Sequence, residues 1–198
     1  MSVIIVEPKE TPGFEIGQKF RKIGHRSAEN AELVFTDARV PVENLIGKEG
    51  DGWGIMTAAL NESRVSDSAR ALGIARAAYE FALDYAKQRK QFGKPIGENQ
   101  AVGFKLAEMH VRLEALRYLI YNAAWHLYRD KNPMLPISTA RYFAAETAQW
   151  VTLKAMETQG GYSYMMDSPL QRYWRDAYIF YFGYGTAEMQ RIVISRAL

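Results

Sequence analysis

Apolar positions along the chain change their spacing near residue 50. Before it, short β-branched runs alternate with turns: Val3-Ile4-Ile5-Val6 ends at Glu7-Pro8, and Glu32-Leu33-Val34-Phe35 leads through Thr36-Asp37 to Arg39-Val40-Pro41. Such runs, bounded by proline and glycine, predict strands. Two or three strands do not make a stable sheet alone, so residues 1–50 are expected to be part of a β-domain whose other strands come from elsewhere. After about Gly54 the spacing becomes helical. No proline intervenes before Pro95, Gly73 is the only glycine between Gly54 and Gly93, and alanine is dense. Over residues 99–130, Val102, Leu106, Met109, Leu113, Leu116, Ile120 and Leu127 recur at steps of four and three, with Ala123 and Ala124 filling the gap. That is the narrow seam of an antiparallel bundle. A third helix is expected over 137–159, after Pro136, with Ser138 or Thr139 as cap and Gly160-Gly161 as its end. Shorter helices are expected over 169–182 and 186–198. The fold class is thus mainly α: an up-and-down bundle of four to five helices over 51–198, preceded by a fragment of a β-domain over 1–50.

Composition narrows the function classes. Among 198 residues, 25 basic and 22 acidic side chains are interspersed for a net charge of +3, which gives no electrostatic footprint for a nucleic-acid partner. With 48% hydrophobic residues a substantial core is available, and no apolar run reaches the length of a membrane span. The absence of cysteine excludes disulfides, thiolate metal sites and cysteine nucleophiles. Bundles often hold carboxylate-bridged metals through Glu-x-x-His. Lys22, Ala107 and Ala123 precede His25, His110 and His126 by three residues, so that motif is not formed and no metal is expected. The N-terminal ten residues do not read as a signal peptide, and a cytoplasmic location is expected, or the mitochondrial matrix for a eukaryotic source.

Three segments carry candidate chemistry. Gly50-Asp51-Gly52-Trp53-Gly54 lacks the register of a phosphate cradle and reads as the entry to the first long helix. Arg89-Lys90-Gln91-Phe92-Gly93-Lys94 is either a basic helix end stopped by glycine or an anion site for a phosphate-bearing cofactor. The pair Gly160-Gly161 permits close backbone approach to a ligand, or simply caps a helix.

Taken together, these stretches resemble the acyl-CoA dehydrogenases, in family order and along essentially the whole chain. The matching segments are Val6-Glu7-Pro8 with Thr11-Pro12-Gly13-Phe14, Lys22-Ile23-Gly24-His25-Arg26-Ser27, Leu33 to Asp37, Val40-Pro41 to Gly47, Arg89 to Gly93, Glu157 to Gly161, Arg172 with Arg175-Asp176, and Gly185-Thr186 to Arg191. The resemblance implies removal of hydrogen from the α and β carbons of an acyl-CoA thioester, a carboxylate taking the α proton and FAD the β hydride. It implies that Arg89, Gln91, Phe92 and Gln100 meet the flavin of a neighbouring subunit. Glu157, Gly160, Gly161, Thr186 and Glu188 are implied as further cofactor contacts, and Arg64 as lying at the CoA end of the substrate. It also implies an electron-transfer flavoprotein as partner and a homo-oligomer, dimer or tetramer. The matched region is the C-terminal portion of the family, so a longer protein or a partner chain is expected to supply the rest.

The sequence departs from the family at the base. The usual glutamate, immediately before Gly-Thr, is Tyr184, and the alternative base before the arginine is Ser63. A phenol of ordinary pKa is a poor base at neutral pH. Glu62, one residue earlier, is the candidate carboxylate, although one residue is about 100° around a helix. Tyr184 is a candidate substrate contact through its backbone N–H. A non-catalytic oligomerisation or partner subunit of the same fold is the alternative reading.

Overall fold

The β-branched residues before residue 47 form narrow antiparallel ribbons. The computed structural model describes residues 1–198, and β1 (Val3–Ile4) pairs with β4 (Leu45–Ile46), Val3 opposite Ile46. Between them β2 (Phe14–Lys19) pairs with β3 (Ala31–Phe35), Phe14 opposite Phe35 with ring centroids 5.2 Å apart. The strand β2 was not expected, because Phe-Glu-Ile-Gly-Gln-Lys is polar and contains a glycine. A ribbon of two strands has no second layer, so Ile16, Leu33 and Phe35 stand exposed.

The chain divides into two compact units, Met1–Leu60 and Asn61–Leu198. The division falls inside α1 (Gly52–Gln88). Gly52 opens this helix where a side chain does not fit: a Cβ there would lie 2.8 Å from the Met1 carbonyl oxygen.

The second unit is helical. Residues Ala71, Ala75, Ala78, Ala82 and Ala86 of α1 repeat at helical steps and are fully buried. In α2 (Gln100–Leu127) the expected seam is buried at Met109, Leu113, Leu116, Ile120 and Ala123, while Val102, Leu106 and Leu127 are half-buried at its ends. The third helix, α3 (Met134–Gln159), starts before Pro136 rather than after it. Proline is tolerated there because the first helical N–H groups have no intrahelical acceptor. Neither expected residue caps it: Ser138 is buried inside the helix, and the Thr139 hydroxyl donates to the Leu135 carbonyl at 2.8 Å. The helix expected over 169–182 is two pieces, α4 (Pro169–Ala177) and a 3-10 turn over Tyr178–Tyr181. The Ser168 hydroxyl caps α4 with Pro169 behind it. The last helix, α5 (Ala187–Ala197), is capped by Thr186. One core joins α1, α2, α3 and α4 through the alanine stripe, Met109, Leu116, Val151, Leu170 and Phe180. No helix is long and apolar enough to cross a membrane.

The basic run at 89–94 is not a helix stopped by glycine. The helix ends at Gln88, and β5 (Lys90–Gln91) pairs with β6 (Lys94–Pro95) across the two-residue turn Phe92-Gly93. Both turn residues have positive φ, 54° and 80°, the signature of a tight hairpin whose twist matches its strands.

Candidate functional site

Three helices converge on the turn Gly183-Tyr184-Gly185 that precedes α5. Each of its carbonyl oxygens is gripped by a different side chain. Arg141 of α3 donates to Gly183 at 2.7 Å, Arg64 of α1 to Tyr184 at 3.1 Å, and Gln190 of α5 to Gly185 at 3.2 Å. Tyr184 and Gly185 adopt positive φ, 55° and 94°, a conformation that persists in a non-glycine residue only when its surroundings over-determine it. A Cβ at Gly185 would lie 3.0 Å from the Gln190 amide nitrogen, so glycine is needed there on two counts. The turn's carbonyls are thus taken up within the chain, while the Tyr184 backbone N–H has no acceptor within it. The Tyr184 ring is partly exposed.

Charge is concentrated behind this turn. Arg141 and Asp67 are both buried and pair at 3.1 Å, and the second carboxylate oxygen of Asp67 accepts from Arg70 at 2.9 Å. Burial lowers the pKa of Arg141 from its ordinary value, with Asp67 opposing that shift and Arg64 and Arg70 adding to it. Burial also lowers that of Arg64. The sequence reading singled out Arg64 and Tyr184 but missed Asp67, Arg141 and Gln190. One signal was available: Asp67 lies one turn before Ala71 on the stripe that continues through Ala75, and a charge on a buried stripe requires a partner.

Glu62 lies elsewhere on α1. At about 100° per residue it is roughly 160° around the helix from Arg64. Its side chain is exposed on the surface of α1. Ser63 is half-buried, and its carbonyl accepts from Ser66.

The remaining candidates fall into three places. Arg89, Gln91 and Phe92 occupy the hairpin, with Gln100 at the start of α2, and all four are exposed. Phe92 at the hairpin tip is 94% exposed, and the Arg89 guanidinium has no partner in the chain. Gly160 and Gly161 follow α3 in the 3-10 turn Gly160–Tyr164, where an added Cβ at either position meets nothing within 4 Å. Open ground of this kind leaves room for another molecule to approach the backbone. Beside it the Glu157 carboxylate is bound by Lys154 at 2.8 Å and Lys105 at 3.0 Å, and the Lys154 hydrogen bond chiefly holds its pKa below the ordinary value. At α5 the Thr186 hydroxyl oxygen accepts from the Met189 N–H at 3.3 Å, and Glu188 faces Arg191 at 3.5 Å.

Comparison with known proteins sets this geometry in a family. The model of the acyl-CoA dehydrogenase C-terminal domain matches residues 50–198. An acyl-CoA dehydrogenase of Bacillus subtilis is 49% identical over all of this chain and 52% of its own length. The butyryl-CoA dehydrogenase structure from Megasphaera elsdenii superposes with a TM-score of 0.94 at 41% identity, covering 99% of this chain and 51% of that one. A chain in a structure of the electron transferring flavoprotein of Acidaminococcus fermentans superposes with a TM-score of 0.95 at 42% identity, covering 99% of this chain and 51% of that one. The chain therefore spans about half the length of the curated relatives it matches.

Proposed function

The chain belongs to the acyl-CoA dehydrogenase family, and from that premise we propose that it is part of an FAD-dependent enzyme that removes hydrogen from the α and β carbons of an acyl-CoA thioester. The observation that carries this reading is the Gly183–Gly185 turn, whose carbonyls are held within the chain while the Tyr184 N–H is left unpaired. A fixed backbone donor is the group that stabilises negative charge building on a thioester oxygen as the α proton leaves.

The residues around the hairpin and the Gly160–Gly161 turn fit a dinucleotide cofactor. The unpaired Arg89 guanidinium suits a phosphate, and the bare glycines admit close approach. FAD, when bound, accepts the β hydrogen as hydride. Gln91, Phe92 and Gln100 would hold it together with Arg89, and Glu157, Gly160, Gly161, Thr186 and Glu188 would complete the contact set. Arg64 steadies the Tyr184 carbonyl, and it is the proposed contact for the CoA end of the substrate. An electron-transfer flavoprotein is the proposed acceptor of the electrons, a reading supported by the likeness to the Acidaminococcus fermentans structure.

Glu62 is the proposed base, as the carboxylate nearest in sequence to the alternative base position. Its exposed position favours a second reading, in which the chain is a non-catalytic oligomerisation or partner subunit. Two substitutions in the native gene product decide between them. Glu62→Gln abolishes turnover if Glu62 is the base, and Tyr184→Glu raises or creates turnover by placing a carboxylate before Gly185-Thr186. Full activity in Glu62→Gln removes that residue from the mechanism. No activity in any assembly containing the wild-type chain establishes the non-catalytic reading.

A further inference from the structure

We propose that Asp67 and Arg141 are positioning residues: their buried ion pair aims the Tyr184 N–H and strengthens it as a donor. The inference rests on the reading above, in which that N–H faces the thioester oxygen. The Gly183 carbonyl and the Tyr184 N–H belong to one peptide unit. The unit is planar and trans, so the two bonds point in opposite directions. Whatever holds the carbonyl therefore sets the direction of the N–H. That holder is Arg141, through Nη2, at 2.7 Å.

The same nitrogen lies 3.1 Å from Asp67 Oδ2, so the carboxylate's charge holds the guanidinium group at the place where it donates to the turn. Asp67 is itself fixed from the other side by Arg70 at 2.9 Å. The Arg141 Nε is buried with no acceptor. A guanidinium left with an unsatisfied buried N–H is held by what its outer nitrogen grips rather than by full satisfaction of its own donors. Arg64 and Gln190 hold the next two carbonyls but belong to the following peptide units, so the aim of the Tyr184 N–H falls to Arg141. A cation on the carbonyl also polarises its peptide unit and makes the N–H at the other end a stronger donor.

A pair that only filled the core predicts something different. Replacing a buried ion pair with apolar residues of similar volume is often neutral or stabilising, so the double variant Asp67→Leu/Arg141→Met separates aim from packing. The experiment compares it with wild type and with Arg141→Lys in the FAD-loaded native gene product. Its readouts are thermal unfolding, amide hydrogen exchange of the peptide spanning 182–187, and kcat and KM with an acyl-CoA.

The double variant is expected to melt near wild type yet exchange about tenfold faster over 182–187, with helix peptides unchanged. Its kcat is expected to fall about tenfold to a hundredfold with KM little altered. Arg141→Lys, which keeps the charge but not the fork, is expected to show the same changes in milder form. Wild-type exchange over 182–187 in both variants overturns the proposal, as does faster exchange spread evenly over the bundle. Should the double variant not fold, the exchange of Arg141→Lys decides alone. A wild-type protein without turnover removes the functional reading, while exchange still decides whether the pair holds the turn.

Discussion

Tyr181, half-buried in the 3-10 turn after α4, titrates far from an ordinary phenol. Burial first, and then the neighbouring Glu146, push it up to about 12 from 10.0. The folded protein therefore holds this proton more tightly than the unfolded chain does. The stability it contributes is fully present below pH 10 and is lost as the pH rises from 10 to about 12. Denaturant unfolding should show a drop across that window that is smaller in Tyr181→Phe, and identical alkaline profiles for the two proteins would contradict the assignment. Single residues were unevenly legible in the sequence. Arg64 and Tyr184 were singled out through the resemblance to the family, and Gly160 and Gly161 as a glycine pair at a helix end. Asp67, Arg141 and Gln190 were not, because each sits in a run that reads as helix filler and its partners lie far along the chain. Only a helical stripe that mixes one charge with alanines betrays such a residue.

At the scale of elements, the helical periodicity was readable wherever apolar residues recur, as in the α2 seam, and the ends of elements were not. The hairpin after α1 is the clearest case. Its turn needs two residues at positive φ, which Asn-Gly announces and Phe92-Gly93 does not. A phenylalanine at φ 54°, and 94% exposed, is costly both in backbone strain and in solvation. Its retention fits a contact outside the chain. Phe92→Asn is predicted to stabilise the fold by about 0.5–1 kcal/mol while weakening flavin retention. Arg89→Ala is predicted to leave stability nearly unchanged and to weaken flavin retention roughly tenfold to a hundredfold, the loss of one charge-assisted phosphate contact. Thermal unfolding and equilibrium dialysis of flavin measure the two effects. Unaltered flavin affinity in both variants would return the hairpin to a purely structural role.

At the scale of the molecule, residues 137–198 hold Tyr142, Phe143, Trp150, Trp174, Tyr178, Phe180, Tyr181 and Phe182, many aromatics for a small bundle. The structure keeps Tyr178 and Phe182 exposed there but buries Phe180 completely. A regularly spaced exposed apolar row lies on α2. Phe104, Val111, Tyr118 and Trp125 are exposed at steps of seven, and Tyr121 and Tyr128 extend the row. This is a second seam on a helix whose first seam already faces the core. It is hard to read in the sequence because apolar residues on both faces of α2, aliphatic on one and mostly aromatic on the other, blur the amphipathic pattern. Self-association through this row is predicted. Light scattering at micromolar concentration should report an oligomer in wild type and a smaller species in Tyr118→Glu/Trp125→Glu, whereas a monodisperse wild-type monomer would contradict it. The central claim, that the Gly183–Gly185 turn and the Arg89 hairpin serve acyl-CoA oxidation by a bound flavin, is tested most directly by anaerobic mixing. The native gene product, loaded with FAD, is mixed with saturated acyl-CoA thioesters of increasing chain length while the flavin absorbance is followed. The account predicts bleaching of the bound flavin by at least one of them within a single turnover, and a tightly bound flavin that stays oxidised with all of them would contradict it.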